Sequence, residues 1–435
     1  MVLNFKFKNK ICLAQMCDFY YIRKNKNNHM KGRIFKIISI CVIFHIGHAE
    51  MRGNETEDYQ RSTPTRKAVV GNIKRNIPRL AADTAMTASQ IEKWRGEMSE
   101  TMAKLMAHPS RQMCPPVRLS SAQRDGYRIE RWQSFPLPET RVNFLVLIPD
   151  GVDENNPAVG GVLCIPGFGQ TKELLAGEKR GDYDLVTGPD SVTPRAAMAK
   201  LYVEKGLVAV AVDNPSFGEL SDNGVGDYLN TSRMLLEENW SYLGLTSWQD
   251  KIILDWLKQQ PFINQDKLIV SGFSLGTEPM MVLGLLDNDI EAFVYNDFLC
   301  RTRERILVMD KPDEKGNRPF PNSIEHLIPG FLMEFDFPDI VAALSPRPVI
   351  CTEGGLDRDF HIIEKIYENA GAPENFEYHH YEKYADPAER IMIGKDELPG
   401  NLDLWEFFRL VNVDSPNHYF KAEFVMPWLD RFLSE

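Results

Sequence analysis

Five residues constrain this chain more than any others. Gly272-Phe273-Ser274-Leu275-Gly276 is entered from the apolar run Leu268-Ile269-Val270 and leaves at once into the apolar stretch 277–286. A strand that turns this sharply into a helix has no room for a side chain two positions before or two after the central residue. Glycine at 272 and 276 meets that demand. The serine between them is then exposed at the carboxyl end of a sheet. The pattern predicts a nucleophile elbow, with Gly272 and Gly276 structural and Ser274 reactive. The competing reading is an ordinary tight strand-to-helix turn.

The surrounding pattern alternates strand and helix. Strands are predicted at 159–165, 207–212, 267–271, 292–296, 348–352 and 376–381, and helices at 194–205, 248–259, 277–286 and 360–370. Near-continuous apolar strands separated by amphipathic helices predict an α/β fold whose central sheet is mostly parallel and flanked by helices on both faces. Two strands at 127–135 and 141–148, joined by Pro136-Leu137-Pro138-Glu139, give it an antiparallel start. Ile91, Trp94, Met98, Met102 and Leu105 recur at helical spacing, predicting an N-terminal helical extension over 88–107. Residues 298–338 and 382–414 interrupt the alternation. Long loops in a compact domain are usually functional, so both read as cap-like insertions over the substrate site.

The N-terminus divides differently. From Met30 a basic start, a short apolar run (37–46) and Gly47-His48-Ala49 have the layout of a secretory signal peptide at 30–49, which predicts export. Residues 1–29 then read as a leader outside the native protein, residues 50–118 as linker and helical extension, and residues 119–435 as the catalytic domain. Without residues 1–49 the chain carries 41 basic and 60 acidic residues, a net charge of −19. Such a charge argues against nucleic acid or an anionic membrane as partner, and the apolar run is too short for stable membrane insertion. Four cysteines remain, of which Cys164 and Cys351 fall in predicted strands and read as core residues rather than disulfide partners.

A serine nucleophile needs a base, and the base needs an orienting acid; behind an elbow of this kind they follow in the order Ser, acid, His. His108 precedes the serine, His326 precedes the best acid, His361 lies too near that acid, and His379 and His380 lie in a strand. His418, in a loop before the last amphipathic helix, is therefore the predicted base. Asp357, in the glycine-containing loop after the strand at 348–352, is the predicted acid, with Asp359 as competitor. Glu353 is expected to end that strand and pair with Arg358 or another cation, with a role in the site also open. The oxyanion hole takes one backbone N–H from Leu275 and one from Phe168, with Gly169 the alternative. The loop 213–218 reads as a sheet-end turn or a substrate contact. No metal-ligand spacing and no phosphate loop is present, so no metal and no cofactor is expected.

Pro166-Gly167-Phe168-Gly169-Gln170-Thr171-Lys172, Trp248-Gln249-Asp250, the elbow, Ser345-Pro346-Arg347-Pro348 and His418 together resemble the acetylxylan-esterase and dienelactone-hydrolase-like branch of the α/β-hydrolases over residues 120–435. The resemblance implies the α/β-hydrolase fold, the triad Ser274, Asp357 and His418, and oxyanion donors Phe168 and Leu275. It implies an exported serine esterase acting on small-molecule or glycan esters such as acetylated xylan. Two positions depart from the family pattern. Many relatives have His before the oxyanion-loop glycine, where this chain has Pro166. Relatives of the cephalosporin-deacetylase type have Gln after the serine, where it has Leu275. The rival expectations are an exported peptidase or amidase, and an inactive glycan-binding protein on the same fold.

Overall fold

The computed structural model describes residues 64–110, 114–178, 193–222, 226–318 and 322–434. The chain divides into two units, residues 1–68 and 69–435. Of the first, only residues 64–68 are described, at the start of the helix Thr65–Arg75. The leader and signal peptide expected at 1–49 lie outside the described residues. No helix among the described residues is long and apolar enough to cross a membrane.

The second unit is built on nine strands: β1 (Cys114–Gln123), β2 (Tyr127–Phe135), β3 (Val142–Pro149), β4 (Gly161–Ile165), β5 (Val208–Ala211), β6 (Leu268–Phe273), β7 (Ala292–Asn296), β8 (Val349–Cys351) and β9 (Phe376–Tyr378). They form one sheet in the order β1-β2-β3-β5-β4-β6-β7-β8-β9. The pairs β1–β2, β2–β3 and β3–β5 are antiparallel, and every pair from β5 to β9 is parallel. The antiparallel start and parallel body are as the pattern predicts. β1 is an addition that crosses the expected boundary at residue 119. It begins Cys114-Pro115-Pro116 and is almost wholly exposed, so it shows no apolar alternation. Such a strand belongs at a sheet edge, where proline costs no ladder bond, and β1 is an edge strand with irregular register to β2.

Helices cover both faces. Leu163 and Ile165 of β4 face one core with α1 (Ala88–Met106), α3 (Tyr242–Leu257), α4 (Thr277–Leu286) and α5 (Asp357–Asn369). Val162 and Cys164 face the other with α2 (Met198–Glu204) and α6 (Ala422–Ser434). The alternation along one strand thus feeds two cores, which explains why the strands read as unbroken apolar runs. The predicted extension at 88–107 is an integral part of the first core. Its Met98, Met102 and Met106 are fully buried, and Thr87 opens it with a reciprocal capping box to Gln90.

A third apolar cluster lies apart from the sheet. Cys300, Val308 and Met309 from one insertion pack with Met392, Leu398, Leu402, Phe407 and Leu410 from the other, around Leu356 and Tyr381. The two segments that break the strand-helix alternation therefore share a small core of their own.

Candidate active site

The elbow forms as the glycines require. Ser274 has φ 51°, a left-handed conformation that costs a non-glycine residue energy and is kept only where the surroundings enforce it. A Cβ at Gly272 would come within 2.4 Å of the Gly276 carbonyl oxygen, and one at Gly276 within 2.3 Å of the Ile165 carbonyl oxygen. Neither position has space for another residue.

Ser274 lines a cavity of about 420 Å³ together with His418, Phe168 and Leu275. That volume suits a small ligand or one to two sugar rings. The His418 ring stacks on Phe273, the residue before the serine, with centroids 4.6 Å apart. Its Nδ1 lies 2.5 Å from Glu353 Oε2. Glu353 is fully buried, and its second oxygen accepts a bond from Tyr419 N–H at 3.1 Å. That bond leaves Nε2 as the other ring nitrogen, on a residue that lines the cavity. Burial alone would lower the His418 pKa, but the hydrogen bond and charge of Glu353, with Asp297 behind it, raise it above 6.5.

The carboxylate beside His418 is therefore Glu353 and not Asp357. Asp357 opens α5, does not line the cavity, and is held by Arg390 Nη1 at 2.7 Å and His380 Nε2 at 3.2 Å. Burial opposes its ionisation, yet His380 and Arg390 hold its carboxyl below the ordinary value. Asp359 is buried against Arg301, 2.7 Å away. Arg358, the expected partner of Glu353, pairs with Glu304 instead. The physical reason lies in the turn after β8. Gly354 has φ 73°, and a Cβ at Gly355 would strike the Leu299 carbonyl oxygen at 2.4 Å. Between them these glycines swing the chain off the sheet end, so a residue two beyond the strand stays beside the histidine while one six beyond it has left.

A second carboxylate, absent from the expectations, stands here. Asp297 follows β7, and one of its oxygens, one of Glu353 and one His418 ring nitrogen lie within 4.8 Å of one another. Burial pushes its pKa to about 6, with Glu353 adding to the rise and His418 opposing it. The signal available in the sequence was its place, directly after the strand beside the elbow strand. The three groups are spaced closely enough to offer a cation one atom each, while His418 Nδ1 and Glu353 Oε2 are bonded to each other.

The loop carrying Phe168 is braced from several sides. Gln170 Oε1 accepts from Gly167 N–H at 3.0 Å, and Asn214 Nδ2 donates to the Pro166 and Gly167 carbonyls at 3.0 and 3.3 Å. Among the described residues, the Phe168 N–H has no protein acceptor. The Phe168 ring meets Phe217 and Tyr228 edge-on. Lys172, just beyond this loop, is fully buried and bonds Asp213 at 2.7 Å through both its backbone N–H and its Nζ. The loop at 213–218 is therefore a structural brace for the Phe168 loop.

This brace is a buried charge cluster. One ammonium serves Asp213, Glu173 and Glu219, and Glu219 also pairs with Arg131. Three carboxylates outweigh the burial of Lys172 and raise its pKa, while Asp213, sharing one cation, is pushed up to about 6 by its burial. Removing one member of such a pair leaves a buried charge uncompensated. Lys172→Met is expected to cost about 3 kcal/mol at pH 7.5, read as a lower denaturation midpoint. Asp213 pKa is raised in the fold, and more so without its cation, so its proton uptake supports the fold at low pH and that support fades as pH rises. The deficit should accordingly shrink between pH 7.5 and pH 5.5.

A family model described as the Abhydrolase family matches residues 50–431. The chain belongs to the α/β-hydrolase family. A Bacteroides fragilis protein provisionally named an acetyl xylan esterase is 47% identical, with a TM-score of 0.82, and the match covers 86% of this chain and 96% of that one. This α/β-hydrolase stands with the acetylxylan-esterase-like branch that its motifs resemble. A methylesterase (17% identity, TM-score 0.46, 73% of this chain and 63% of that one) and a Solibacter usitatus glucuronoyl esterase (13%, 0.45, 68% and 86%) are more distant. No curated protein matches this α/β-hydrolase in sequence.

Proposed function

We propose that this α/β-hydrolase is an exported serine esterase of carbohydrate esters, with Ser274 as nucleophile, His418 as base and Glu353 as the acid. The observation that carries this reading is His418, which bonds a buried glutamate through Nδ1 while sharing a cavity with an elbow serine. Ser274 Oγ attacks the ester carbonyl and gives its proton to His418 Nε2. The Phe168 and Leu275 N–H groups stabilise the oxyanion, and collapse breaks the ester C–O bond as His418 gives the proton to the departing sugar oxygen, which leaves as a hydroxyl. Water then attacks the acyl-serine by the same route and releases the acid. Acetylated xylan is the substrate favoured by the 47% identical relative's name, and export by the signal-peptide layout at 30–49. Asp297 sits behind the histidine as a second carboxylate that raises its pKa.

The test is acetate release from acetylated xylan by residues 50–435, beside a peptide-amide substrate, across pH 5 to 9. Acetate release with no amide cleavage supports the reading. Amide cleavage alone would move it to the peptidase class. His418 acts as a base only when neutral, so kcat/KM should rise with pH through a midpoint above 6.5, its raised pKa. Asp297 helps to raise that pKa, so Asp297→Asn should move the midpoint to lower pH. An unmoved midpoint would mean that Asp297 does not act on the histidine.

A further inference from the structure

The cavity that Ser274 and His418 line also carries polar groups that the protein leaves without partners. Arg305, on the helix Thr302–Val308 of the first insertion, lines the cavity. Among the described residues no carboxylate pairs with its guanidinium and no acceptor takes its buried Nε; the faces of Phe298 and Phe407 lie about 6 Å away, and Asp297 and His326 are near enough to feel its charge. Asn322 and Glu325 line the same cavity and are 5% and 3% exposed. Asn322 Nδ2 and Glu325 Oε2 also lack a protein partner. Buried polar groups in native proteins are nearly always hydrogen-bonded, and a guanidinium beside a cavity is among the least expected to stand alone.

The chemistry of the three groups selects the kind of occupant. Arg305 and Asn322 offer donors, and Glu325 offers an acceptor. A neutral polyol satisfies both, since each hydroxyl donates one bond and accepts others. A free carboxylate would satisfy Arg305 but would meet Glu325, Glu278 and Asp297, which line the same cavity. Phe168, Tyr228 and Phe408 supply the apolar surface on which a sugar ring's C–H face can lie. We propose that Arg305, Asn322 and Glu325 form the subsite that holds the sugar of the ester, reading neighbouring free hydroxyls on an uncharged ring. This rests on the carbohydrate-esterase reading and adds which part of the substrate is recognised, and by what.

Two measurements separate the subsite from the chemistry. Calorimetric titration of Ser274→Ala with xylotriose, mannotriose and galactotriose needs no turnover. At least one should bind, and Arg305→Met or Glu325→Gln in that background should weaken it roughly 30-fold, about 2 kcal/mol. In the active enzyme, the loss of kcat/KM on a monoacetylated methyl xyloside should exceed the loss on p-nitrophenyl acetate by a similar factor and appear in KM. Arg305→Lys, which keeps the charge and loses the planar fork, should recover only part of it. Equal losses on the two esters, with the variants folded by melting temperature, would assign these residues a structural role and overturn the subsite. So would absence of binding to all three trisaccharides, or tighter binding of glucuronate than of xylose. Binding without hydrolysis of any ester would leave the subsite standing and remove the esterase reading instead.

Discussion

Ser274→Ala is expected to lose about 10⁶-fold in kcat on p-nitrophenyl acetate, the order found when a triad nucleophile is removed. The loss is large because, in the proposed mechanism, the hydroxyl oxygen is the atom that forms the acyl bond. Cys300 lines the same cavity, but burial pushes its thiol far above the ordinary range, so it offers no thiolate. The backbone at position 274 is left-handed in the wild type, and alanine in the same turn carries much the same strain. The melting temperature should therefore be nearly unchanged, and the rate loss can be read as chemistry. A fluorophosphonate should label the wild type on Ser274 and leave the variant unlabelled. A variant as active as the wild type would show that the elbow serine is not the nucleophile.

Glu353→Gln should cost about 10³-fold in kcat/KM on the same ester, whereas Asp357→Asn should stay within about threefold of wild type. Glutamine keeps the shape of the buried side chain and can still accept the Tyr419 N–H bond. What it loses is the negative charge that, in the proposed mechanism, holds the His418 tautomer and stabilises the imidazolium formed during attack. Loss of an orienting acid elsewhere costs about 10⁴-fold; a smaller figure is expected here because Asp297 lies within 4.8 Å and retains part of the field. The double variant Glu353→Gln, Asp297→Asn should accordingly fall further than Glu353→Gln alone. Asp357 touches none of this. Its partners are Arg390 and His380, so its replacement should lower thermal stability more than activity. The reverse ranking of the two single variants would return the acid role to Asp357 and exclude Glu353.

The contrast between these two acids shows where local sequence stops deciding. The elbow was legible because its cause is local: Gly272 and Gly276 are demanded by contacts within a few residues or with the adjacent strand, and no distant partner can relax them. The sheet and its flanking helices were legible for a related reason. Strands buried on two faces must be apolar throughout, as Gly161–Ile165 is, and a helix on one face must carry a periodic stripe, as Ile91, Trp94, Met98 and Met102 do. His418 could be singled out by chain order together with the strand and loop positions of the other histidines. The acid could not, because three carboxylates lie within eight residues after β8 and their spacing is compatible with any of them. β8 ends at Cys351, and the chain leaves the sheet at Gly354 and Gly355, where the Leu299 backbone, 56 residues earlier, blocks any other path. Asp297 joins the site only because β7 lies between β6 and β8 in the sheet. β1 escaped notice because an exposed edge strand has no burial pattern to leave in its sequence. The sequence by itself determined the sheet, the elbow and the serine, since these follow from sterics and burial along the chain. Which carboxylates meet the histidine, and which polar groups wall the cavity, only the tertiary structure decided, because those contacts join segments whose meeting depends on how separate loops fold back across the sheet.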